Sequence, residues 1–405
     1  MTTHTATSFS KASIRDLSPQ ELLGKRVLLR VDFNVPLDEQ KKVTDDARIR
    51  ESMPTLKYLT DAGAKVIIMC HFGRPKGKVV ESLRLDPIVS TIEKLLGKPV
   101  KKINDCVGAV AEKAVAELSN GSVLLLENMR FHAEEEANDT GFAKQLAALG
   151  DLFVNDAFGA AHRAHASTAG IAAYLPAYAG FLIEKELEML GKSLDHPARP
   201  FIAIIGGAKV SSKFGVLKHL LNKVDTLVIG GGMAYTFLKG QGKEIGKSMC
   251  EPDLIADALQ FLEAAKAKNV KIMLPVDVGV GNKFGADAQR KDVPVDQIPA
   301  DWEGMDAGPQ TVALIKAEIS KSKTVLWNGP LGVFEFNAFA TGTDAIAHAI
   351  AETKIISIIG GGDSAAAIKK AGLTDKMTHI STGGGASLEF LEGKVLPGIA
   401  VLKNK

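Results

Sequence analysis

The chain contains 405 residues, with 49 lysines and arginines against 47 aspartates and glutamates, which gives a formal net charge of +2. This length favours two domains of roughly 150–200 residues each. The near balance of charge argues against a general polyanion binder, so we expect no nucleic-acid partner and only local positive fields. No apolar run reaches the ~20 residues that a membrane-spanning helix requires, so we expect no membrane partner.

The cysteines and the amino terminus indicate the compartment. Cys70, Cys106 and Cys250 are widely spaced and form no C-x-x-C pair, so the sequence predicts buried, reduced thiols rather than a disulfide framework or a zinc cage. Residues 1–13 are polar and lack the apolar core of a signal peptide, which favours a frayed terminus. We therefore expect a cytoplasmic protein.

Short β-branched or leucine-rich runs alternate with longer helix-like stretches, the pattern of a parallel sheet covered by helices on both faces. In chain order the predicted strands are residues 26–32, 65–70, 122–127, 152–156, 201–205, 226–229, 270–274, 323–327 and 354–359. The sequence predicts an α/β fold of two doubly wound parallel-sheet (Rossmann-like) lobes. Residues 1–180 form the first lobe, residues 181–200 an interdomain helix and hinge, and residues 201–394 the second lobe.

Arginine and paired glycine are distributed unequally between the two predicted lobes. All but one of the arginines lie at or before Arg199, whereas every pair of adjacent glycines lies at or after Gly206. Two opposite biases that divide at the same linker favour a division of function between the lobes.

The first-lobe strands are followed by polar residues. These are Asp32, Asn34, His71, Arg74, Asn128, Arg130, Asn155, Asp156, His162, Arg163 and His165, and Arg48 lies near the start of a predicted helix. Ligands of open parallel sheets bind at this edge, and arginine donates paired hydrogen bonds to phosphate or carboxylate. One arginine alone is more often a surface ion pair, but recurrence at successive strand ends predicts an anion pocket. No second ligand stands at metal spacing from His71 or His162, so we assign no metal to histidine.

The second-lobe strands are followed by glycine. Glycine pairs or triplets begin at Gly206, Gly230, Gly360 and Gly383. Glycine lets backbone N–H groups approach a phosphate or an adenine ring, although a single pair more often forms only a tight turn. Neither G-x-x-x-x-G-K-[ST] nor G-x-G-x-x-G is present, so a nucleotide would be held in another way.

Charged residues beside these glycines extend the predicted nucleotide site. Asp363 is suited to hold Mg²⁺ against phosphates, or to cap a helix. Lys209 and Lys213 have the spacing of one helical turn and would both face a phosphate, or else solvent. Glu335 follows another strand, where a carboxylate would accept ribose hydroxyls.

A series of motifs, in order along nearly the whole chain, resembles those of phosphoglycerate kinases. They are RVDFNVP (30–36), DDARIRESMPT (45–55), HFGRPKG (71–77), LLENMRFH (125–132), NDAFGAAHRAH (155–165), GGAKVSSK (206–213), GGGMAYTF (230–237), WNGPLGVFE (327–335), GGGDS (360–364) and STGGGASLEFLEG (381–393). The resemblance implies reversible transfer of the γ-phosphoryl group of MgATP to the carboxylate of 3-phosphoglycerate, giving ADP and 1,3-bisphosphoglycerate, in glycolysis and gluconeogenesis. It also implies a monomer whose residues 395–405 pack on the first lobe.

The resemblance further implies which residues serve each substrate. Phosphoglycerate would be bound by Asp32, Phe33, Asn34, Arg48, His71, Phe72, Gly73, Arg74, Arg130 and Arg163. The nucleotide would be bound by Lys209, Lys213, Gly230, Gly231, Gly304, Met305, Asn328, Pro330, Glu335, Gly361, Gly362, Asp363 and Ser364, with Asp363 on Mg²⁺. Ser364 and Met305 stand where the family usually has threonine and leucine, and we expect altered affinity at most.

The implied chemistry accounts for the lack of a convincing general base. A carboxylate nucleophile is already ionised at pH 7, so catalysis reduces to alignment and charge neutralisation. We assign this neutralisation to Arg48, Lys209, Lys213 and the glycine turn at Gly384. With the substrates on separate lobes, the linker after Gly180 must allow closure.

Two alternatives remain open at the level of sequence. An NAD-dependent dehydrogenase of a sugar acid would need G-x-G-x-x-G and an acidic residue about 20 positions later. A non-catalytic binding protein of the same fold would not need four residues that are all present, namely Arg48, Lys209, Lys213 and Asp363.

Overall fold

A computed structural model describes residues 10–405 of the chain. Contacts divide these residues into two units, one comprising the described residues up to Glu188 together with Val395–Lys405, the other comprising Met189–Lys394. Each unit contains its own six-stranded parallel sheet, which confirms the predicted α/β class with two parallel-sheet lobes. Among the described helices, none combines the length and apolar character needed to cross a membrane.

The first unit is built on a sheet of parallel strands. They are β1 Arg26–Arg30, β2 Lys65–Met69, β3 Val100–Lys102, β4 Val123–Leu125, β5 Leu152–Asn155 and β6 Ala177–Ala179. Their order is β3-β4-β2-β1-β5-β6, so successive strands are added on both sides of β1. The carboxyl end of β1 therefore lies at the switch point where open α/β sheets bind ligands. Strands β3 and β6 were not predicted, because Val100–Lys102 contains two lysines and Ala177–Ala179 contains two alanines, so neither forms a β-branched or leucine-rich run.

Helices cover the first sheet. They are α1 Pro19–Leu22, α2 Ala47–Asp61, α3 Asp86–Leu96, α4 Gly108–Ala116, α5 Ala133–Glu136, α6 Thr140–Ala148 and α7 Phe181–Glu186, followed near the carboxyl terminus by Pro397–Ala400. Short 3₁₀ helices span Ile14–Asp16, Glu81–Leu83, Met129–Phe131, Phe158–Ala160 and Gly170–Ala173. The core contains Leu29 of β1, Ile68 of β2 and Leu56 of α2, all fully buried. Burying each such side chain contributes roughly 1.5–3 kcal/mol to folding.

The described amino-terminal residues pair with the carboxyl terminus inside the first unit. Lys11 forms a β-bridge with Asn404, and Ala12 N donates to Lys403 O at 2.8 Å. The frayed terminus expected over residues 1–13 is therefore wrong for Lys11–Ser13, and residues 1–9 lie outside the described residues.

The second unit contains two sheets. Its strands are β7 Phe201–Ile205, β8 Thr226–Ile229, β9 Lys271–Met273, β10 Asp277–Gly281, β11 Arg290–Pro294, β12 Glu303–Ala307, β13 Thr324–Asn328, β14 Ile356–Gly360 and β15 His379–Ile380. The parallel sheet has the order β15-β14-β13-β7-β8-β9, with its switch point between β13 and β7. An antiparallel sheet of order β11-β10-β12 was not predicted, because the mostly exposed, charged β11 lacks an apolar run.

Helices also cover the second parallel sheet. They are α8 Lys192–Asp195, α9 Phe214–Leu220, α10 Ala234–Gly240, α11 Ile255–Ala267, α12 Pro309–Ile319, α13 Thr341–Glu352, α14 Gly362–Lys370 and α15 Gly385–Leu391, with 3₁₀ helices Pro252–Leu254, Asn337–Phe339 and Thr374–Lys376. The chain passes from α7 to α8 through a π-helical turn, Leu187–Gly191, so residues 181–195 are helical throughout. Fully buried Trp327 and Ile346 lie in the core of this unit.

Candidate functional site

Side chains from three strand ends of the first unit meet in one polar cluster. Arg48 Nη1 donates to Asp32 Oδ2 at 2.9 Å and to the carbonyl oxygen of Asn34 at 3.3 Å. Asn34 Oδ1 accepts from Gly73 N at 2.9 Å, and Arg130 Nη1 donates to Gly73 O at 3.0 Å. We call these residues, with His71 and Arg163, the strand-end cluster. The contacts join the ends of β1, β2 and β4 to the first turn of α2.

The loop after β2 is held by the amide of Asn128. Its Nδ2 donates to Phe72 O at 2.7 Å, while its Oδ1 accepts from Phe72 N at 3.1 Å and from Arg130 N at 3.2 Å. Asn128 is fully buried. Since a buried amide is fixed by its partners, this side chain sets the positions of both the loop and the turn that carries Arg130.

His71 is buried beside Arg30, an arginine that the sequence analysis did not assign to the site. Arg30 is fully buried and its Nη2 lies 3.2 Å from His71 Nδ1. Because a guanidinium only donates, Nδ1 accepts and the neutral ring carries its proton on Nε2. Burial and the neighbouring arginines, Arg30 first among them, hold the pKa of His71 well below its usual range. A charged residue inside the otherwise apolar run Val27–Val31 was the available signal for Arg30.

Arg30 is held by a buried chain of hydrogen bonds. Its Nε donates to Ser167 Oγ at 2.8 Å. Ser167 in turn donates to the Glu135 carboxylate from Oγ at 2.6 Å and from N at 2.9 Å. Glu135 is fully buried and supplies a negative charge behind the arginine. The sequence gave no signal for this arrangement, because Glu135 lies on α5 among other glutamates and Ser167 in a loop.

The arginines of the strand-end cluster retain donors for a ligand. Arg130 is 2 % exposed, and its Nη2 has no hydrogen-bond partner within residues 10–405. Burial lowers the pKa of Arg130, and the charges of Arg163 and Arg30 add to this effect. Arg163 is partly buried and Arg74 is exposed. A buried donor without a partner costs about 1–3 kcal/mol, so this arrangement favours an anion.

Four other residues that the sequence analysis singled out in the first unit have structural contacts: Phe33, Phe72, Asn155 and Asp156. The side chains of Phe33 and Phe72 belong to the apolar core, which leaves only their backbone for a ligand. Asp156 Oδ1 accepts from Leu182 N at 2.8 Å at the start of α7, and burial raises the pKa of Asp156 to about 7. Asn155 Nδ2 donates to Gly398 O at 2.8 Å and so anchors the carboxyl-terminal segment to β5.

In the second unit, glycine turns pack against one another at the switch point. A Cβ atom on Gly206 would lie 2.0 Å from the carbonyl oxygen of Pro330. One on Gly231, where φ is +67°, would lie 2.7 Å from the carbonyl oxygen of Gly207. Any larger residue would push apart the turns that follow β7, β8 and β13. The glycines thus bring three backbone turns into contact at the switch point, and we call this region the glycine crevice.

Lys213 lies beside the end of β13, where its ammonium group donates to Asn328 Oδ1. Burial lowers the pKa of Lys213 to about 8, and the charge of Asp363 partly opposes this. Lys213 directly precedes α9 and Lys209 lies exposed in the loop before it. The expected placement of both lysines one turn apart on a helix is therefore wrong. Asn328 Nδ2 is buried without a partner among the described residues, which leaves a donor in the crevice.

Ser364 fixes the turn after β13. Its Oγ accepts from Gly329 N at 2.6 Å, so serine supplies the required hydroxyl. Asp363 is exposed in the first turn of α14, whose N-cap is Gly361 and not Asp363. One exposed carboxylate suits Mg²⁺ that arrives with a nucleotide and keeps most of its water. Glu335 is also exposed.

Gly304 and Met305 lie on β12 of the antiparallel sheet. A Cβ atom on Gly304 would lie 1.7 Å from Tyr235 Oη. Tyr235 lines a small cavity together with Gly230 and Gly231. Met305 is 3 % exposed and packs in an apolar cluster, which suits a flexible filler in place of a leucine.

Two further glycines of the predicted site border open space. A Cβ atom built on Gly362 or on Gly384 would meet no other heavy atom within 4 Å. Gly384, with φ at +52°, is the residue before α15. Both stand at the amino ends of helices, where backbone N–H groups point outward.

The strand-end cluster follows one parallel sheet, and the glycine crevice, with Lys213 and the exposed Asp363, follows the other. Together they indicate a two-domain α/β protein with a candidate anion site in each unit. The family model described as "Phosphoglycerate kinase" matches residues 14–394. The chain belongs to the phosphoglycerate kinase family and is a nucleotide-dependent kinase, which confirms the resemblance and removes the dehydrogenase alternative.

Individual relatives agree. Phosphoglycerate kinase of Moorella thermoacetica is 58 % identical over 396 residues, covering 98 % of this chain and 100 % of the relative. That of Dictyoglomus turgidum is 57 % identical over 397 residues with the same coverage. Among solved structures, phosphoglycerate kinase of Coxiella burnetii has a TM-score of 0.89 at 44 % identity, and that of Pyrococcus horikoshii 0.81 at 34 %; each comparison covers 96 % of this chain and 98 % of the other.

We predict that the imidazole of His71 titrates well below the ordinary histidine value of about 6.5, because burial and the arginines disfavour its charged form. Sulfate bound at the strand-end cluster should raise this pKa, since an anion stabilises the imidazolium. Nitrogen-15 NMR of histidine-labelled protein, titrated with and without sulfate, measures both. A titration near 6.5 that sulfate does not move would contradict a positive, anion-binding cluster.

Proposed function

We propose that the chain transfers the γ-phosphoryl group of MgATP reversibly to the carboxylate of 3-phosphoglycerate, giving 1,3-bisphosphoglycerate and ADP. The observation that carries the proposal is the buried arginine cluster with an unpaired Nη2 donor on Arg130. A substrate with a phosphate at one end and a carboxylate at the other matches several guanidinium groups placed side by side. Family membership supports the same substrate.

Arg48 is the arginine suited to act on the transferring group. Its side chain is 38 % exposed, and Asp32 and Asn34 both engage the same Nη1 atom. The contacts orient the guanidinium and leave Nη2 for a ligand. The neighbouring arginines, Arg74, Arg130 and Arg163, would hold the phosphate end of the substrate, and His71 would donate from Nε2 because its ring is neutral.

The nucleotide is proposed to occupy the glycine crevice of the second unit. Gly230, Gly231 and Gly304 would face the adenosine, and Glu335 the ribose. Lys209 and Lys213 would contact the phosphates, as would the turns at Asn328–Pro330 and Gly361–Ser364. Asp363 would hold Mg²⁺, which supplies charge neutralisation at the phosphates when bound.

The proposed reaction needs no proton transfer. An oxygen of the substrate carboxylate, already ionised, forms a bond to the γ-phosphorus while the bond to the bridging oxygen breaks, and ADP leaves with that electron pair. Arg48, Lys213 and Lys209 stabilise the charge on the transferring oxygens, with backbone N–H groups near Gly384. Since the two substrates bind different units, an in-line arrangement requires closure about the linker at residues 181–200.

We further propose that the protein acts as a cytoplasmic monomer. The three cysteines are all free, as a reducing compartment permits. Functionally, residues 1–180 with 395–405 would carry phosphoglycerate and residues 201–394 the nucleotide. Size-exclusion chromatography with light scattering checks the monomer.

The reaction is tested by trapping its product. Purified protein, MgATP and 3-phosphoglycerate are mixed with hydroxylamine, which converts the acyl phosphate to a hydroxamate. We expect hydroxamate only when both substrates and Mg²⁺ are present. If the amount of hydroxamate does not exceed that in a sample without protein, the proposed reaction is wrong, and a non-catalytic binding protein of the same fold is favoured.

Arg48→Ala should lower kcat by at least 100-fold while changing the Kd of ATP less than twofold, because the lost charge acts in the transition state. Arg50→Ala is the matched control, since Arg50 lies on the same helix but pairs in solvent with Asp46. Steady-state kinetics and ATP titration by calorimetry make the comparison. An unchanged kcat in Arg48→Ala would remove Arg48 from the mechanism.

Nucleotide affinity should decline as pH rises through about 8, by at most tenfold per pH unit. The ammonium of Lys213 is charged below that pKa and attracts phosphate, whereas above it the neutral amine does not. ADP titrations from pH 7 to 9.5 measure the effect. Lys213→Arg keeps its charge throughout, so its affinity should lose the pH dependence; a wild-type profile without slope would contradict the assignment.

A further inference from the structure

Three potential metal ligands meet in the first unit, outside the strand-end cluster. Asp105, Cys106 and His132 place a carboxylate oxygen, a thiol sulfur and an imidazole nitrogen within 4.8 Å of one another. Asp105 Oδ1 and His132 Nε2 are 2.9 Å apart. The proposed phosphoryl transfer uses none of these side chains.

The spacing suits a small tetrahedral cation. Zinc binds sulfur at roughly 2.3 Å and nitrogen or oxygen at roughly 2.0–2.2 Å, so its ligand atoms lie roughly 3.3–3.8 Å apart. The three donor atoms, all within 4.8 Å of one another, are close to that spacing. One sulfur, one nitrogen and one oxygen form a mixed set that favours zinc over magnesium or calcium, which take oxygen ligands.

Solvent reaches the cluster from one side. Cys106 is fully buried, whereas the side chains of Asp105 and His132 are 46 % and 31 % exposed. The thiol is therefore the innermost of the three ligands, and the other two lie at the protein surface. An ion has a route in, and the exposed side leaves room for water as a fourth ligand.

Neighbouring groups orient two of the ligands before any ion binds. Asp105 Oδ1 accepts from Cys106 N at 2.7 Å. The ring of His132 stacks on Phe142, with centroids 5.0 Å apart and planes inclined by 28°. Ordered side chains lose less entropy on coordination, so these contacts favour binding.

The surroundings of the thiol are acidic. The carboxylates of Asp105, Glu127 and Glu135 lie near the thiol, and those of Glu127 and Glu135 are buried. A divalent cation would offset that negative potential. On coordination the S–H bond breaks, the sulfur–metal bond forms and the proton passes to solvent.

We propose that Asp105, Cys106 and His132 bind a thiophilic divalent cation of the zinc class. The site is distinct from Asp363, which lies in the second unit. His132 directly follows the 3₁₀ turn that carries Arg130, and its N donates to Met129 O at 3.2 Å. Coordination therefore stabilises the first unit beside the strand-end cluster.

The test uses cobalt(II) as a spectroscopic probe of full-length, metal-free protein, without magnesium or nucleotide. The wild type should bind one Co²⁺ at this site with a sulfur-to-cobalt charge-transfer band and tetrahedral d–d bands, and Zn²⁺ should displace it. Cys106→Ser should lose the charge-transfer band, and His132→Gln should weaken Co²⁺ binding at least tenfold. Cys250→Ser is the matched control, because this partly exposed thiol lies outside the cluster, and it should match the wild type.

Thermal unfolding supplies a second measurement. Zn²⁺ should raise the Tm of the wild type and of Cys250→Ser, but not that of His132→Gln. If Cys106→Ser fails to fold, the proposal is tested with Asp105→Asn and His132→Gln. Both variants change partly exposed side chains, so the protein should still fold. The proposal is overturned if the wild type shows no charge-transfer band, if Cys250→Ser abolishes it, or if the cluster variants bind Co²⁺ as the wild type does.

Discussion

Mutual repulsion among buried arginines is the interaction on which the first unit's site depends. Arg30, Arg130 and Arg163 all act on the ring of His71, and burial prevents water from screening them fully. Glu135 offsets part of this charge, through Ser167 at Arg30 and directly at Arg130, where Glu136 also contributes. The excess positive charge is therefore held at the carboxyl edge of the sheet, where the anionic substrate that we propose would relieve it.

The second unit is subject to a different constraint. The backbone turns that follow β7, β8 and β13 approach one another closely. Gly206 and Gly231 leave no space for side chains, because a Cβ atom on either would lie within 2.7 Å of a backbone carbonyl oxygen of a neighbouring turn. Lys213 is the buried cation there, and partial desolvation lowers its pKa to about 8. The magnesium-bound nucleotide that we propose for this unit would need fewer fixed charges than the phosphoglycerate proposed for the first unit, which fits the scarcity of arginine in this half of the sequence.

The sequence predicted the strands of both parallel sheets that have clear apolar runs, and therefore which residues lie at the carboxyl edges. Asn34 was assigned because strand ends converge, and Arg48 because it lies near the start of a predicted helix. Gly73 was assigned only through the resemblance to phosphoglycerate kinases. Glu135 and Ser167 were missed because their role depends on contacts across the fold. The error over Lys209 and Lys213 has a local cause: the spacing is helical, but α9 begins only after Lys213. The antiparallel sheet lacks any apolar alternation on β11.

The Asp105–Cys106–His132 cluster shows the same limit of sequence analysis. Metal motifs are recognised when ligands recur at short spacing, whereas here the histidine follows the β4 strand and the other two ligands follow β3. Adjacency of β3 and β4 in the sheet brings them together. The parallel order that assembles the arginines at the ends of β1, β2 and β4 thus also assembles, one strand further out, a group of ligands with different chemistry. The strand order therefore places the positive strand-end cluster and the acidic Asp105–Cys106–His132 cluster along the same edge of the sheet.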